Sequence, residues 1–433
     1  MTMEEIVLDD EVKPPTDFNI FVGAETGLLK GVCLNPKMNL AKNFSNMHTL
    51  ERKHEITAMA WGNEEQAEVL LGLKGRIVRT FDPEDKSFTS SHEMTDASGK
   101  IVGIARAQDA LVVASETGVV QVWRDPKDSF NTIDFELSCS GKLKANSFKD
   151  EEAREKHMVT MKADRNLARM RKVPKSSSLI ATGGKENDLQ IWDLEKIPSG
   201  PVFRAKNVPM DSLELRVPIW ITDMCFPDNC SKDKVATVTR YGHVRLYDTK
   251  GNQRRPVMNL DWPEQVLTTI SSTPDENSIL VGTSSGHIAQ FDLRMTHKGM
   301  KNKFRGCTGG IRSIDCHPVH KTFAAVGLDR FLRIYDINQA KPIQKMYLKS
   351  KLNHVLLAKD FDPATAIAKI EKPDKSKSKK KPAAIDPDII EVDQKGGEEF
   401  WKKLPIVRSS STKKGKRPQQ TDQAVSAKKK SRK

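Results

Sequence analysis

Seven copies of one hairpin pattern divide most of this chain into repeats. Each copy is a short apolar strand, a small polar turn that usually contains glycine, and an alternating strand that ends in an aromatic residue and usually Asp. Alternation with a period of two is typical of β-strands, and a short turn between two such strands predicts a hairpin. The copies recur at intervals of roughly 40 to 70 residues, which predicts a repeat protein built from small sheets. They occupy residues 21–32, 70–82, 112–125, 180–193, 235–248, 280–292 and 324–336.

A four-residue strand of the form apolar-x-x-apolar precedes six of the seven hairpins. The first hairpin has no such strand before it, whereas an unmatched one, Leu-Asn-His-Val at 352–355, follows the last hairpin. We expect this C-terminal strand to join the first hairpin and close a ring, because an open stack would leave an apolar strand without a partner. The prediction is an all-β, seven-bladed propeller over residues 18–358. The six preceding strands are assigned to 56–59, 101–104, 158–161, 221–224, 267–270 and 311–314.

Composition argues for an intracellular protein without a membrane segment. No run of about 18 apolar residues occurs, and the acidic residues 1–17, which we expect to be disordered, lack the plan of a secretory signal. The six cysteines are scattered, and only Cys225 and Cys230 lie close together. Structural zinc sites usually need a second pair, so buried free thiols in a reducing compartment are the simpler interpretation.

Residues 183–185, Gly-Gly-Lys, are the stretch that comes nearest to a phosphate-binding loop. Such a loop needs two separated glycines and then Lys-Ser or Lys-Thr at the start of a helix, whereas Lys185 is followed by Glu186 and a strand. The stretch is therefore predicted to be a hairpin turn. Since no nucleophile motif or metal-ligand spacing occurs either, the sequence predicts no enzyme, no catalytic residue, no metal and no cofactor.

Cations and aromatic residues are interleaved in residues 201–220. This mixture suits phosphate contacts combined with apolar anchoring, so we expect a surface that binds a neighbouring protein or RNA. The alternative is an outer strand with solvated cations and buried aromatic residues. Further cations occupy hairpin turns that share one face of a propeller, where glutamates in the same turns partly cancel them. The candidate binding residues are Arg204, Lys206, Arg216, Trp220, Lys185, Arg240 and Arg330.

Residues 359–433 carry most of the net charge of +14. They hold 21 Lys and Arg residues against 11 Asp and Glu residues. Because their Ser-, Pro- and Gln-rich surroundings cannot bury a core, we expect a disordered tail. Clusters of this kind are read as nuclear import signals and attract RNA phosphates; the alternative is a purely solubilising tail. The import candidates are Lys379, Lys380, Lys381, Lys413, Lys414, Lys416, Arg417, Lys428, Lys429 and Lys430.

Residues 398–407 differ from the rest of this tail because they contain Phe400, Trp401 and Leu404. A disordered tail offers these side chains no core of its own. Exposed aromatic residues in a linker often mark a docking motif, so we expect this stretch to bind a partner.

The hairpins resemble those of WD-repeat propellers. Many WD repeats carry a Gly-His pair before the first strand and a buried Asp–His hydrogen-bond network. Here that pair is missing from nearly all repeats, since His54 and His157 lie near the expected place without the glycine. We therefore expect irregular blades that carry insertions.

Several longer stretches resemble the WD repeat-containing protein 74 family and its fungal counterpart. The resemblance covers residues 18 to 358, is strongest in the second half, and leaves out residues 128–157 and both termini. It rests on Ala-Thr-Gly-Gly-Lys-Glu-Asn-Asp-Leu-Gln-Ile-Trp-Asp-Leu at 181–194 and on residues 201–220, 253–257, 317–318, 327–336 and 347–353.

This resemblance implies a non-enzymatic scaffold of the nucleus and nucleolus. It implies incorporation into early precursors of the large (60S) ribosomal subunit, a role in ribosomal RNA processing, and release by an AAA-type ATPase with the nuclear exosome machinery. Its partners would be assembly factors and ribosomal RNA, with no membrane and no small-molecule substrate. The alternative is a propeller that binds chromatin or presents substrates to a ubiquitin ligase.

Overall fold

The computed structural model describes a ring of seven small antiparallel sheets, or blades. Each blade has four strands in sequence from the centre outwards, and blade 1 has a fifth. The described residues fall within one compact unit, Met1–Gln394, while the second unit, Lys395–Lys433, lies outside them. They are residues 18–34, 39–45, 51–94, 97–107, 110–124, 158–163, 166–174, 176, 178–196, 200–210, 212–227, 233–251, 253–275, 277–295, 299–361 and 389–391.

The first four blades are built as follows. Blade 1 contains β1 (Ile20–Ala24), β2 (Leu29–Leu34) and β3 (Asn39–Asn43), with β28 (Leu352–Leu357) inside and β29 (Ile389–Glu391) outside. Blade 2 contains β4 (Ile56–Trp61), β5 (Val69–Leu73), β6 (Ile77–Asp82) and β7 (Ser87–Glu93). Blade 3 contains β8 (Ile101–Ala107), β9 (Ala110–Ser115), β10 (Val119–Arg124) and β11 (Met158–Lys162). Blade 4 contains β12 (Leu167–Lys172), β13 (Leu179–Gly184), β14 (Asn187–Asp193) and β15 (Phe203–Arg204).

The remaining three blades follow the same plan. Blade 5 contains β16 (Ile221–Cys225), β17 (Lys234–Thr239), β18 (His243–Asp248) and β19 (Met258–Asp261). Blade 6 contains β20 (Leu267–Ser272), β21 (Ser278–Thr283), β22 (Ile288–Asp292) and β23 (Met300–Phe304). Blade 7 contains β24 (Ile311–Cys316), β25 (Thr322–Gly327), β26 (Phe331–Asp336) and β27 (Pro342–Tyr347). A 3-10 turn at Arg52–His54 is the one helical element within the described ranges.

The core lies between neighbouring blades. Strands β5, β9, β21 and β25 are buried along their whole length, because the adjacent blades cover both of their faces. This explains why the first strand of each hairpin reads as a continuous apolar run rather than an alternating one.

The C-terminal strand closes the ring as the sequence predicts. Strand β28 pairs antiparallel with β1, with Leu357 opposite Ile20 and Val355 opposite Val22. Closure extends a little beyond residue 358, since the fully buried Phe361 packs into the same core cluster. The His317 Nε2 atom bonds the Lys359 carbonyl at 2.9 Å, which ties this end of the chain to blade 7.

The assignment of residues 158–161 to the inner strand of blade 4 is wrong. They lie in β11, the outermost strand of blade 3, where Met161 faces Val120 of β10. The inner strand of blade 4 is β12, in which Leu167 and Met170 supply the same apolar-x-x-apolar pattern. In chain order the stretch 128–157, which lies outside the described residues, therefore comes between β10 and β11 and not between two blades.

A polar residue occupies the equivalent position of the third strand in every blade, and it is buried in all of them except blade 2, where Arg79 is half-buried. In blade 1 the Lys30 Nζ atom donates to Asn43 Oδ1 at 2.9 Å, and in blade 7 Arg333 pairs with Asp329 at 2.6 Å. These groups place hydrogen bonds inside blades that lack the usual Gly-His pair. The seven residues are Lys30, Arg79, Gln121, Gln190, Arg245, Gln290 and Arg333.

Candidate interaction surface

The connection from β15 to β16, residues 205–220, is the longest link between successive blades. It spans 16 residues, whereas the other six links span 4 to 12. Connections of this length within a compact domain are uncommon and are usually functional. Its residues are therefore the first place to look for a binding surface.

Asn207 holds the base of this connection. Its Nδ2 atom donates to the Val217 carbonyl at 2.7 Å, so residues 208–210 and 212–216 belong to a projecting loop with its two ends tied together. Its Oδ1 atom accepts hydrogen bonds from the Val208 N–H at 2.9 Å and from Arg245 Nη1 at 3.2 Å. Because Arg245 is buried in blade 5, the loop base is fixed between blades 4 and 5.

Trp220 ends the connection beneath two cations. The Lys185 Nζ atom lies 4.9 Å and the Arg240 Cζ atom 4.5 Å from the centre of its ring. The backbone fixes this arrangement, since Lys185 forms a β-bridge with Trp220 and the Arg240 N–H donates to the Trp220 carbonyl at 2.8 Å. Lys185 and Arg240 belong to the turns of two different hairpins, which therefore converge on this ring. Cations stacked on a tryptophan gain cation–π stabilisation.

The three cations of the segment 201–220 are exposed. Arg204 and Lys206 flank the buried Ala205, and Arg216 pairs with Glu186 at 3.4 Å while remaining 61% exposed. Burial raises the pKa of the nearby Asp188 even though Arg245, Arg216 and Arg204 act in the opposite direction. Three arginines and one further carboxylate, that of Glu186, therefore lie close enough to Asp188 to act on its charge. We call the exposed side chains of residues 202–210 and 212–220, together with Lys185, Arg240 and Tyr241, the blade 4–5 surface.

Six of the seven binding candidates from the sequence meet at the blade 4–5 surface. The seventh, Arg330, is exposed in the second hairpin turn of blade 7, and among the described residues no contact joins it to the other six. The expected basic rim is also partly neutralised by ion pairs at the hairpin turns. These are Lys351–Glu25 at 3.1 Å, Lys74–Glu55 at 2.8 Å and Lys100–Glu116 at 3.6 Å.

Sequence reasoning included Leu213 among the apolar anchors of this segment but missed Met210 and Leu215. Met210 is 65% exposed, Leu213 74% and Leu215 60%. Leu213 and Leu215 surround Glu214, whose backbone is in the left-handed region at φ 60°. The available signal was the alternation of two leucines with Glu214 and Arg216 between Pro209 and Pro218. A loop bounded by prolines cannot bury these leucines as a regular strand would.

A second polar cluster, also missed, occupies the central channel. In all seven inner strands a β-bulge between the first and third residues shifts the register, and such bulges re-aim the side chains that follow. The third residues form one ring and the fifth residues another. The first ring is Ala58, Gly103, Arg169, Asp223, Thr269, Ser313 and His354, and the second is Ala60, Ala105, Arg171, Cys225, Ser271, Asp315 and Leu356.

Asp223 is the centre of this channel cluster. Its fully buried carboxylate accepts bonds at 3.0 Å from the Arg171 guanidinium, lies 3.2 Å from Arg169 Nε, and accepts a bond from Thr269 Oγ1 at 3.2 Å. Burial acts to raise the pKa of Asp223, but the charges of Arg169 and Arg171 outweigh it and hold the pKa below its ordinary value. Burial also lowers the pKa of His354 to about 3, so this imidazole is neutral.

A cavity of about 320 Å³ lies where the inner strands of blades 4 to 7 end. Arg171 and Asp315 reach it from the channel, and Ser271 and Cys225 line its wall. Burial raises the pKa of Asp315 to about 6, although a hydrogen bond at 2.8 Å from the Leu357 N–H acts against this shift. Asp315 thus links the cavity to the strand that closes the ring.

The described part of the chain contains no group of three or more side chains able to hold a metal ion. Four cysteines in this part of the chain are not disulfide-bonded: Cys33, Cys225, Cys307 and Cys316. No helix among these residues is long and apolar enough to cross a membrane. The tail candidates, from Lys379 to Lys430 and including Phe400, Trp401 and Leu404, lie outside the described residues.

Known proteins that are similar to the chain match it along the propeller. Residues 299–336 match the family described as WD domain, G-beta repeat. Human WD repeat-containing protein 74 is 36% identical over 341 residues, which cover 78% of this chain and 81% of the human protein. The chain belongs to the WD repeat-containing protein 74 family.

Two further relatives extend the comparison beyond humans. WD repeat-containing protein 74 of Mus musculus is also 36% identical over 341 residues, with 78% of this chain and 81% of the mouse protein covered. Ribosome biogenesis protein nsa1 of Schizosaccharomyces pombe is 30% identical over 270 residues, covering 56% of this chain and 63% of the yeast protein. These matches confirm the family resemblance predicted from the sequence.

Proposed function

We propose that this chain is a non-enzymatic scaffold in the biogenesis of the large (60S) ribosomal subunit. In this role it is incorporated into nucleolar precursor particles and is needed for ribosomal RNA processing. The observation that carries the proposal is the similarity of its propeller to a fission yeast protein named for ribosome biogenesis. A propeller suits such a role because its closed ring is rigid while its turns and connections are free to vary.

The blade 4–5 surface is the part of the propeller that we propose contacts the precursor. Its exposed Arg204, Lys206 and Arg216 add nothing to the apolar core, so selection for folding alone does not require them. Arg330, which is exposed in blade 7, is a separate candidate contact on the ring. Because the blade 4–5 surface is built on a fixed base, binding requires little ordering of the loop.

The tail supplies the remaining proposed activities. Its lysine clusters direct nuclear import and add salt-dependent affinity for ribosomal RNA. Residues 398–407 offer a docking motif. The family resemblance suggests two partners: an AAA-type ATPase that releases the protein from the particle, and the nuclear exosome machinery.

Sedimentation of the tagged full-length protein tests the function. We expect it to co-sediment with large-subunit precursors, and we expect its depletion to cause unprocessed precursor ribosomal RNA to accumulate. Co-sedimentation with chromatin or a ubiquitin ligase, with normal ribosomal RNA processing, would refute the proposal and favour the alternative.

A triple variant, Arg204→Ala, Lys206→Ala and Arg216→Ala, tests the surface separately. Exposed charges usually change stability by no more than about 0.5 kcal/mol each, so the melting temperature should stay near that of the wild type. Incorporation into precursors should fall because these cations lie at the contact. If both quantities stay at wild-type values, the binding surface lies elsewhere on the propeller.

A further inference from the structure

Exposed apolar side chains are concentrated around the blade 4–5 surface. Nine large hydrophobic side chains are exposed within the described residues, and six of them fall between positions 202 and 257. Apolar groups that cluster on a surface and are rimmed by polar residues mark interaction sites. The six are Val202, Met210, Leu213, Leu215, Tyr241 and Val257.

The loop displays its two leucines in a defined geometry. Glu214 between them adopts a left-handed backbone at φ 60°, a conformation that non-glycine residues rarely take unless the surroundings impose it. The bond from Asn207 to the Val217 carbonyl closes the loop beneath them. Leu213 and Leu215 are therefore held outwards by a turn whose shape is set before any partner arrives.

The charge around these leucines is positive. Lys206 and Arg204 lie at the base of the loop, Arg216 follows Leu215, and Lys185 and Arg240 lie at the opposite end. Of the carboxylates nearby, Glu186 is paired with Arg216, Asp188 lies close to Arg245, Arg216 and Arg204, and Glu214 lies between the two leucines, so the cations outnumber the carboxylates. A partner that approaches the loop therefore meets aliphatic side chains framed by cations.

Two observations favour a protein partner over RNA at this surface. Single-stranded RNA is bound by aromatic rings on which bases stack, but the Trp220 ring already lies beneath Lys185 and Arg240. The exposed side chains of Leu213 and Leu215 are aliphatic and offer neither a stacking face nor a phosphate contact. Protein interfaces, by contrast, take up aliphatic anchors surrounded by a charged rim.

We propose that the blade 4–5 surface binds a protein segment that combines aliphatic side chains with several Asp or Glu residues. Leu213 and Leu215 enter an apolar contact with that segment, and the surrounding cations pair with its carboxylates. The inference rests on the proposed role in ribosome precursors and specifies which kind of component the surface contacts there.

Site-specific photo-cross-linking tests this inference. A photoreactive amino acid replaces Leu213 in the full-length chain, and precursor particles that contain the protein are isolated and irradiated. The expected adduct resists ribonuclease, is degraded by protease, and contains a peptide with aliphatic side chains and a surplus of Asp and Glu. An adduct formed with RNA, or with a peptide that lacks this surplus, overturns the proposal.

A matched pair of variants gives a second test. The double variant Leu213→Ser, Leu215→Ser should lose roughly 10-fold or more of its incorporation into precursors, because anchor residues carry most of an interface's affinity. Val319→Ser changes an equally exposed side chain, 74%, in blade 7 and should incorporate normally. Both proteins should melt at the wild-type temperature, since neither change touches the core.

The outcomes also separate this inference from the proposed function. If the wild-type protein is absent from precursors, the function and the inference both fail. If the wild type is incorporated and the leucine double variant equals it, the function stands and only this inference fails.

Discussion

Replacing Asp223 by Asn should destabilise the propeller more than almost any other single polar change. Asp223 is fully buried and its carboxylate pairs with both Arg169 and Arg171, which reach it from blade 4. Asn keeps the shape but presents an N–H group to arginine donors, and it removes the one carboxylate among the described residues that pairs with both. Breaking a buried ion pair by removing one partner costs about 3–5 kcal/mol. Because the two arginine side chains are 17% and 41% exposed to the channel, we expect about 2–4 kcal/mol.

Urea denaturation followed by tryptophan fluorescence measures this change in the free energy of unfolding. Asp261→Asn is the matched control, because Asp261 is 62% exposed and its pair with His243 should contribute less than about 1 kcal/mol. A triple variant, Arg169→Met, Arg171→Met and Asp223→Leu, should be less destabilised than Asp223→Asn, since it leaves no unpaired charge. If Asp223→Asn loses less than about 1 kcal/mol, the channel is wetter than its geometry indicates and the reasoning fails.

Three further predictions follow from the closing strand and the tail. Asp315→Asn should stabilise the protein by about 1–3 kcal/mol above pH 6 and by almost nothing at pH 4. The reason is that the wild-type protein loses stability as the pH rises from the unfolded pKa of Asp315 to its folded pKa of about 6. An equal effect at both pH values in thermal melts would contradict this. Phe361→Ala should cost about 3–5 kcal/mol, against no measurable loss for the exposed control Val319→Ala, and equal melting temperatures would show that closure ends before residue 361. Neutralising about ten cations of the tail should flatten the dependence of log K for RNA on log salt, whose slope is roughly −0.7 to −0.9 per phosphate contact; an unchanged slope would mean that the tail only solubilises.

The ring could be predicted from the sequence because its signals are periodic. Seven hairpins and the unmatched strand at 352–355 determine both the number of blades and the way they close. The error at 158–161 arose because an apolar-x-x-apolar stretch is too short to specify its position in a blade. Leu167 and Met170 fit the same pattern, and only pairing with β10 shows that residues 158–162 form the outer strand of blade 3.

The polar cluster of the channel and the exposed leucines of the loop could not be predicted from the periodicity of the sequence. Arg169 and Arg171 look like solvated cations in the sequence, and Asp223 lies 52 positions after Arg171. The two arginines fit the channel because the equivalent positions of blades 2 and 3 hold small residues, Ala58, Ala60, Gly103 and Ala105. These positions lie around one channel only when the ring is closed. The loop was found through its cations and Leu213, but the exposed pair that Leu213 forms with Leu215 was not, because this exposure depends on the hydrogen bond from Asn207 that closes the loop.

Stability and binding are carried by different residues of this ring. Asp223 and Phe361 are fully buried, whereas Leu213, Leu215 and Arg216 are more than half exposed. Substitutions at separate sites that share no partner usually have additive effects, so a loop variant should lose binding at an unchanged melting temperature. Asp223→Asn should instead reduce incorporation only as far as it reduces the folded fraction, and lowering the temperature should restore it. A loop variant that cooling rescues in the same way would place its defect in folding, and the blade 4–5 surface would then have no separate role in binding.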